Sequence, residues 1–180
     1  IRLQTPQTDQ KEHATPMFLT SSFTYDSAEE MGEAFADDTL DVNIYSRFSN
    51  PTVDEFIDKV AALEDAEDGV ATGTGMAAIF STFMTFLSKG DHIISASAVF
   101  GSTHTILTKY LPKWGIEFSY FDMNKPDSIA ALIKPNTKLL YVETPSNPGL
   151  DIIDIEAVSD LCKKHNILFV VDNCFATPAV

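Results

Sequence analysis

Near the end of the chain, an unbroken apolar run leads directly into a single carboxylate. Residues 167–171 are Ile-Leu-Phe-Val-Val, and Asp172 follows at once. At the end of a buried parallel strand, Asp172 would lie at the carboxyl edge of the sheet, where α/β proteins bind their ligands. Because an unpaired buried charge is costly, we predict that Asp172 has a cationic partner, such as a protonated pyridine nitrogen. The plainer alternative is an aspartate that caps the strand.

A glycine turn, Gly73-Thr-Gly-Met76, opens an apolar helical stretch. The free amides at the start of a helix can hold a phosphate, and glycine lets a ligand approach the backbone closely. The same residues match the dinucleotide pattern Gly73-x-Gly75-x-x-Ala78, but no acid ends the next predicted strand to hold a ribose. We therefore favour a phosphate site at Gly75 and Met76, with an ordinary turn as the alternative.

Two further loops carry side chains suited to a planar ligand. Phe100 precedes a glycine, and an aromatic ring at the edge of a cleft can stack on a planar ring; a core phenylalanine is the alternative. Asn147 lies between Pro145 and Pro148, which fix the backbone so that its amide can point at a ligand oxygen, although most such segments are rigid turns. Glu143, at a predicted strand end, is either an ion-pair partner within the site or a structural acid.

Tyr45 and Arg47 form a candidate phosphate clamp in the N-terminal part of the chain. The chain contains only 12 lysines and arginines, so an arginine between Tyr45 and Phe48 stands out. A tyrosine hydroxyl and a guanidinium together offer several donors to a phosphate. An arginine that is only surface charge is the alternative.

The composition excludes several classes of protein. The net charge of −14 opposes nucleic-acid binding, and no apolar run reaches the length of a membrane span. The four histidines show no metal-binding spacing, so we predict no metal site. The two cysteines suit a reducing cytoplasm, and Cys174 is interpreted as a small buried residue.

The elements that must position these residues alternate between strands and helices. Strand-like runs cover residues 69–72, 92–95, 116–121, 138–142 and 167–171. Helical stretches cover residues 76–87, 102–111, 127–133 and 155–165. This alternation predicts an α/β fold, a mostly parallel sheet with helices on both faces. The stretch 76–87 is apolar nearly all round, which predicts a central and buried helix.

We predict that the first 50 residues form an irregular arm with a short helix near residues 27–35. A long arm without a core of its own usually lies on another body, often a second subunit. Pro51 and the capping box Thr52-Val-Asp-Glu55 then predict the start of a helix. We therefore divide the chain into an arm, residues 1–50, and residues 51–180.

These segments together resemble the cysteine and methionine metabolism family of pyridoxal-phosphate enzymes, from about Pro16 to the end of the chain. Five motifs in the same order are far more specific than any one alone. They are Tyr45-Ser-Arg47-Phe-Ser-Asn-Pro51, Thr74-Gly-Met76, Phe100-Gly-Ser-Thr103, Glu143-Thr-Pro-Ser-Asn-Pro148 and Val171-Asp-Asn173.

The resemblance implies the type I fold of pyridoxal 5'-phosphate-dependent transferases and a role for each site residue. Asp172 would keep the pyridine nitrogen protonated, so that the ring can take up electrons. Gly75 and Met76 would hold the cofactor phosphate. Phe100 would stack on the cofactor ring, and Asn147 would lie beside the ring oxygen. Asp172 and Phe100 are thus the catalytic candidates in this chain.

The resemblance also implies a homo-oligomer, with active sites shared across a dimer, usually within a tetramer. Tyr45 and Arg47 would reach into the site of the neighbouring subunit and hold the same phosphate. This expectation explains the long arm, and it makes residues 51–180 the first half of the cofactor-binding domain. Members of the family are much longer, and the lysine that binds the cofactor lies further along. We therefore expect the chain alone to be inactive.

Within the family, the resemblance is nearest to the sulfhydrylase branch. This implies γ-replacement, in which sulfide and O-succinylhomoserine or O-acetylhomoserine give homocysteine, a step of methionine biosynthesis. Many relatives have tyrosine where this chain has Phe100, and that tyrosine is thought to assist proton transfer in elimination. Cystathionine γ-synthase and methionine or cystathionine γ-lyase activities remain alternatives. A non-catalytic nucleotide-binding or assembly module is the alternative from a different class.

Overall fold

The computed structural model describes residues 4–37, 39–40 and 42–179. The chain divides into two compact units, Ile1–Ala71 and Thr72–Val180. The boundary of the proposed arm at residue 50 therefore lies inside the first unit. In the described part of the chain, no helix is long and apolar enough to cross a membrane.

The second unit is built on one sheet of four parallel strands in the order β2-β1-β3-β4. The strands are β1 His92–Ala96, β2 Glu117–Phe121, β3 Thr137–Glu143 and β4 Leu168–Asp172. Helical segments connect them, which confirms the predicted α/β fold with a parallel sheet. All five residues of β1 and six of the seven in β3 are buried, because these two strands lie in the middle of the sheet.

The helical connections match the predicted stretches with two differences in kind. The α-helices among them are α3 Gly75–Phe86, α4 Gly101–Thr105, α5 Ile129–Leu132 and α6 Ile155–His165. The stretch predicted over residues 127–133 begins as a 3₁₀ turn, Pro126–Ser128, which precedes α5. The stretch predicted as one helix over residues 102–111 begins as α4, continues as a π-helical turn and ends in a 3₁₀ turn at Trp114. Pro112 accounts for the change, because it has no amide to donate and its ring would clash with the preceding α-helical turn.

The predicted strand over residues 69–72 is wrong. These residues belong to no strand, and the side chain of Val70 is 89% exposed. A strand is stable only when its backbone pairs with a neighbour. None of the described segments pairs with residues 69–72, so the apolar run by itself does not create a strand.

The prediction that residues 76–87 form a central and buried helix is also wrong for this chain. Phe83 is buried completely, but Phe80, Met84 and Phe86 are between 38% and 53% exposed. Only one side of α3 packs on the sheet, where Phe83 meets the ring of Tyr141. A helix that is apolar all round therefore leaves its other side uncovered by the described residues.

In the first unit, the predicted short helix is present as α1, Ala28–Ala36, and the next helix, α2, covers Pro51–Leu63. Ser27 caps α1 by accepting a hydrogen bond from the amide of Glu30 at 3.0 Å. The helix α2 begins with Pro51 at its first position, but the predicted capping box is wrong. Asn50 is the cap and accepts from the amide of Thr52 at 3.0 Å. Asn50 precedes Pro51, which suits the first helical position. The first helical residue, Pro51, therefore comes one residue before Thr52, where the predicted box begins.

The two residues of the predicted box instead hold the beginning of the arm. The hydroxyl of Thr52 accepts from the amide of Phe18 at 2.9 Å. The carboxylate of Glu55 accepts from the amide of Thr5 at 2.8 Å and forms an ion pair with Lys59. Part of the arm therefore packs on α2 of its own chain.

Candidate functional site

A cavity of about 270 Å³ opens at the carboxyl edge of the sheet in the second unit. It is lined by Gly75, Met76, Ile79, Phe100, Glu143, Pro145, Asn147, Asp172, Cys174 and Phe175. Gly75, Met76, Phe100, Asn147 and Asp172 are the five residues of this unit that the sequence predicts to form a ligand site. The fold brings all five together, because the loops after parallel strands meet at one edge of the sheet.

Asp172 ends β4 and is held in place by two hydrogen bonds. One carboxylate oxygen accepts from the amide of Cys174 at 3.0 Å. The other accepts from the hydroxyl of Tyr141 at 3.1 Å. Asp172 is partly exposed, and none of the ion pairs formed by the described residues includes it. Its charge is therefore available to a cationic ligand group in the cavity.

Glu143 ends β3 and links two loops of the site. It is only 5% exposed, and its two carboxylate oxygens lie 2.9 and 2.8 Å from the amide nitrogen of Phe100, which donates to them. Burial raises the pKa of Glu143, and the nearby charge of Asp172 adds to the effect, whereas the amide of Phe100 lowers it. Glu143 thus holds the loop after β1 against the end of β3.

Tyr141 is a site residue that the sequence interpretation missed. It is 1% exposed, and its hydroxyl contacts both Asp172 and Glu143, with a distance of 3.3 Å to the latter. Burial raises the pKa of Tyr141 far above its usual range, so the phenol is neutral. The alternation of side chains along a strand could have identified it. Tyr141 and Glu143 are two residues apart and therefore lie on the same face of β3.

The beginning of α3 provides the predicted backbone donors. Thr74 caps the helix, and its hydroxyl accepts from the amide of Ala77 at 3.1 Å. The amides of Gly75 and Met76 precede the first intrahelical hydrogen bonds, so they have no carbonyl partner within α3. Apart from its chain neighbours and the backbone of α3, none of the described residues has a heavy atom within 4 Å of the position that a Cβ at Gly75 would occupy, which leaves the backbone open to a ligand.

The two predicted ring-binding residues lie on loops at the edge of the cavity. The ring of Phe100 is 45% exposed at the cavity, in contrast to a core phenylalanine. Asn147 is partly buried, and the peptide bonds that precede Pro145 and Pro148 are both cis. Next to Asn147, the Ser146 hydroxyl donates to Asp151 at 2.8 Å and fixes the loop.

Cys174 and Phe175 also line the cavity, and the sequence analysis did not assign them to the site. The interpretation of Cys174 as a buried residue is wrong, because it is exposed. After Asp172 the chain leaves the sheet and turns along the cavity, so its side chains no longer point into the core. The ring of Phe175 is 52% exposed there.

Tyr45 and Arg47 belong to the first unit and form a cluster of their own. The guanidinium carbon of Arg47 lies 5.4 Å from the ring centre of Tyr45 and 4.9 Å from that of Phe48. Tyr45 also pairs with Ser22 through an antiparallel bridge. The two aromatic rings hold the guanidinium by cation–π contacts, and Arg47 itself is exposed.

The cavity fits a flat ligand that combines a phosphate with a positively charged ring atom. Asp172 supplies one carboxylate, Gly75 and Met76 supply amides that have no carbonyl partner within α3, and Phe100 supplies an exposed aromatic face. The residues present therefore suit pyridoxal phosphate, whose pyridine nitrogen is cationic when protonated and whose phosphate is anionic.

Comparisons with known proteins agree with this geometry. The sequence model of the family described as Cys/Met metabolism PLP-dependent enzyme matches residues 2–180. An O-succinylhomoserine sulfhydrylase of Pseudomonas aeruginosa is 41% identical over all of this chain and 44% of its own length. An L-methionine gamma-lyase of Fusobacterium nucleatum is 43% identical over 92% of this chain and 42% of its own length.

A solved structure is also very similar. It is an O-acetylhomoserine (thiol)-lyase of Campylobacter jejuni that contains N'-pyridoxyl-lysine-5'-monophosphate. The TM-score is 0.90 at 32% identity, over 98% of this chain and 43% of the other. The matches confirm the predicted family and cofactor, and the chain spans less than half the length of these proteins.

Proposed function

Because this chain belongs to the Cys/Met metabolism family of PLP-dependent enzymes, we propose that the protein carrying it catalyses a γ-replacement. In this reaction, sulfide displaces the acyloxy group of O-succinylhomoserine or O-acetylhomoserine, which gives homocysteine and releases succinate or acetate. The observation that carries the proposal is the position of Phe100 at the cavity, where many relatives have a tyrosine linked to elimination. The similarity to the Pseudomonas aeruginosa sulfhydrylase supports the same choice.

Five residues of the cavity have a proposed task in binding the cofactor. Bound pyridoxal phosphate supplies an electron sink for the charge that develops on the substrate carbons. Asp172 binds the protonated ring nitrogen and so preserves that capacity. The amides of Gly75 and Met76 bind the phosphate, Phe100 packs on the ring face, and Asn147 orients the ring oxygen. Together these contacts fix the cofactor in one orientation.

Tyr45 and Arg47 complete the phosphate site of a neighbouring subunit in this proposal. Their hydroxyl and guanidinium are donors suited to a phosphate, and Arg47 is exposed and held by two aromatic rings. Residues 1–50 then act as an arm between subunits, and residues 51–180 as the first half of the cofactor-binding domain. The assembly is a homo-oligomer, a dimer of dimers, in the cytoplasm.

The activity is proposed for the whole protein. The chain spans 44% of the length of the Pseudomonas aeruginosa relative. None of its lysines lies in the motif context of the lysine that binds the cofactor in the family. We therefore expect the 180-residue chain by itself to be inactive, and every assay below uses the full-length protein.

A γ-lyase is the second candidate, because the Fusobacterium nucleatum methionine gamma-lyase is 43% identical to this chain. The identity to a lyase is thus as high as the identity to a sulfhydrylase. Cystathionine γ-synthase differs only in using cysteine as the incoming thiol. The substrates that the protein accepts distinguish these reactions.

The decisive experiment incubates the purified full-length protein with each acyl-homoserine, with and without sulfide or cysteine, and separately with methionine alone, and identifies the products by mass spectrometry. Sulfide-dependent homocysteine supports the proposal. Cystathionine formed from cysteine indicates a γ-synthase, and methanethiol formed from methionine alone indicates a γ-lyase. If no absorption band stays with the protein after pyridoxal phosphate is added and the excess is removed, the result would favour the non-catalytic nucleotide-binding or assembly module instead.

A further inference from the structure

One hydroxyl lies between the two carboxylates at the edge of the site. The Tyr141 oxygen is 3.1 Å from an oxygen of Asp172 and 3.3 Å from an oxygen of Glu143. Glu143 and Asp172 are partners in register on the adjacent strands β3 and β4. Tyr141 therefore connects two acids that the sheet places side by side.

The Tyr141 hydroxyl has fewer protons to donate than it has contacts with carboxylates. A phenol has a single proton, so Tyr141 can donate to only one of the two carboxylates. Asp172 already accepts from the amide of Cys174, and Glu143 from the amide of Phe100. If both acids were charged, one contact of Tyr141 would bring two oxygens together without a proton between them.

We propose that Glu143 is a neutral carboxylic acid that donates its proton to Tyr141, which in turn donates to Asp172. The hydrogen bonds then run in one direction. The Phe100 amide lies within hydrogen-bonding distance of both oxygens of Glu143. The oxygen of Glu143 that contacts Tyr141 donates to the Tyr141 hydroxyl, and Tyr141 donates to Asp172. Each of the two contacts of Tyr141 then contains one proton, and Asp172 carries the only negative charge of the pair.

The surroundings of the two acids favour a proton on Glu143 and a negative charge on Asp172. Glu143 is 5% exposed, whereas Asp172 is partly exposed and faces the cavity. Burial raises the pKa of Glu143, and the charge of Asp172 raises it further. The titratable groups that act on Glu143 are Tyr141 on its own strand and Asp172 on β4. The buried hydroxyl of Thr103 lies against Tyr141 and Glu143 and lowers the pKa of both, without a hydrogen bond of ordinary geometry.

The consequence for the site is a single, oriented charge. This inference rests on the proposed function, because it treats Asp172 as the counter-ion of the protonated pyridine nitrogen. One carboxylate then balances one cation, and Tyr141 with the Cys174 amide fixes the direction of Asp172. Tyr141 and Glu143 are positioning residues, which act on the cofactor only through Asp172.

Infrared difference spectroscopy tests the proton on Glu143 directly. We expect the full-length protein at pH 7.5, with or without cofactor, to show a carboxylic acid C=O stretch that Glu143→Gln removes. Glu55→Gln is the matched control, since Glu55 is also a buried acid but forms an ion pair with Lys59 that lowers its pKa to about 2. It should leave the band unchanged. A spectrum in which Glu143→Gln removes no such band overturns the proposal.

Cofactor affinity tests the positioning role. Glutamine at residue 143 can accept from the Phe100 amide and donate to Tyr141, so Glu143→Gln should keep the dissociation constant for pyridoxal phosphate within about twofold. Glu143→Leu and Tyr141→Phe break the chain of hydrogen bonds and should weaken binding about tenfold. Equal losses in Glu143→Gln and Glu143→Leu would show that a charge at Glu143 is needed, which contradicts the proposal.

The two proposals can fail separately. If the full-length protein does not bind pyridoxal phosphate, the proposed function fails, while the infrared band still decides where the proton lies. If the protein binds the cofactor but the band is absent, only the neutral state of Glu143 is wrong. A poorly folded Tyr141→Phe variant would not affect the infrared test, which depends on Glu143→Gln alone.

Discussion

Phe83 of α3 packs edge-to-face on Tyr141 of β3, with ring centres 5.2 Å apart and an angle of 84° between the rings. Phe83 is fully buried, and the Tyr141 hydroxyl contacts Asp172. The helix whose first residues line the cavity is thus anchored on the strand that orients the carboxylate. This contact couples the proposed phosphate site to the proposed counter-ion of the ring.

Truncation of Phe83 should therefore be costly. We expect Phe83→Ala to lower the free energy of unfolding by about 3–5 kcal/mol, because it leaves a cavity against Tyr141. Phe83→Leu should cost less, about 1–2 kcal/mol, since it retains most of the volume. Thr85→Ala on the exposed side of the same helix should change stability by less than about 0.5 kcal/mol. Urea unfolding of the full-length variants measures all three, and equal losses would argue against this packing.

Removal of the charge of Asp172 should abolish the site while the fold remains. Asp172→Asn keeps the shape but cannot balance a protonated ring nitrogen, so we expect cofactor affinity to fall at least about tenfold. Homocysteine formation should fall with it. Asp160→Asn is a suitable control. Asp160 is 73% exposed, and its ion pair with Lys163 lies on the surface at the long distance of 3.8 Å, so it contributes little to stability. The visible absorption of added pyridoxal phosphate measures binding, and parent-like binding by Asp172→Asn would refute the assigned role.

A tyrosine at residue 100 should shift the reaction towards elimination. The ring of Phe100 is exposed at the cavity, so Phe100→Tyr adds a hydroxyl there without disturbing the core. We expect the ratio of 2-oxobutanoate to homocysteine, measured with an acyl-homoserine and sulfide, to rise. Phe100→Leu controls for the loss of the native ring and should reduce both products. An unchanged ratio in Phe100→Tyr would remove the main argument for the sulfhydrylase branch.

Mixed oligomers can test whether Tyr45 and Arg47 act in a neighbouring site. Arg47→Ala and Asp172→Asn should each be inactive alone. If the clamp comes from the other subunit, coexpression places both defects in one site of a mixed dimer and leaves the second site intact. We then expect up to about a quarter of the parent activity. Chains with both substitutions should show none, and a failure of complementation would place the clamp in the same subunit.

The buried His92 should make stability depend on pH. Its ring nitrogens lie 2.8 Å from the Thr137 hydroxyl and 2.9 Å from the Ser119 hydroxyl. Burial lowers the pKa of His92 below its ordinary value, and the nearby Lys134 lowers it further. As the pH falls, His92 is therefore protonated in the unfolded chain before it is protonated in the folded chain. The free energy of unfolding should decrease as the pH falls from about 7 to 5.

A comparison of two histidine variants checks this effect. His92→Gln can keep both hydrogen bonds without titrating, so urea midpoints between pH 7 and 5 should depend less on pH than in the parent. His13→Gln changes an exposed residue of the first unit and should keep the parent slope. If His92→Gln retains the full pH dependence, the effect belongs to other groups.

Much of the fold could be predicted from local patterns. The strands that begin at residues 92, 117, 137 and 168 coincide with apolar runs, and α6 covers the predicted residues. Two predictions based on apolar character alone were wrong. Residues 69–72 have no strand partner in the described chain, and α3 has only one covered side, because pairing and burial depend on which segments lie nearby.

The sequence by itself determined the family and the parallel sheet. It also determined that four site residues lie at one edge of the sheet, because strand ends and loop motifs are local features. These residues are Gly75, Phe100, Asn147 and Asp172. Only the tertiary structure decided how the acids share their donors. Tyr141 and Asp172 are 31 residues apart in the chain, yet the pairing of β3 with β4 brings their oxygens to 3.1 Å. Such a contact depends on strand order and register, which no local pattern specifies.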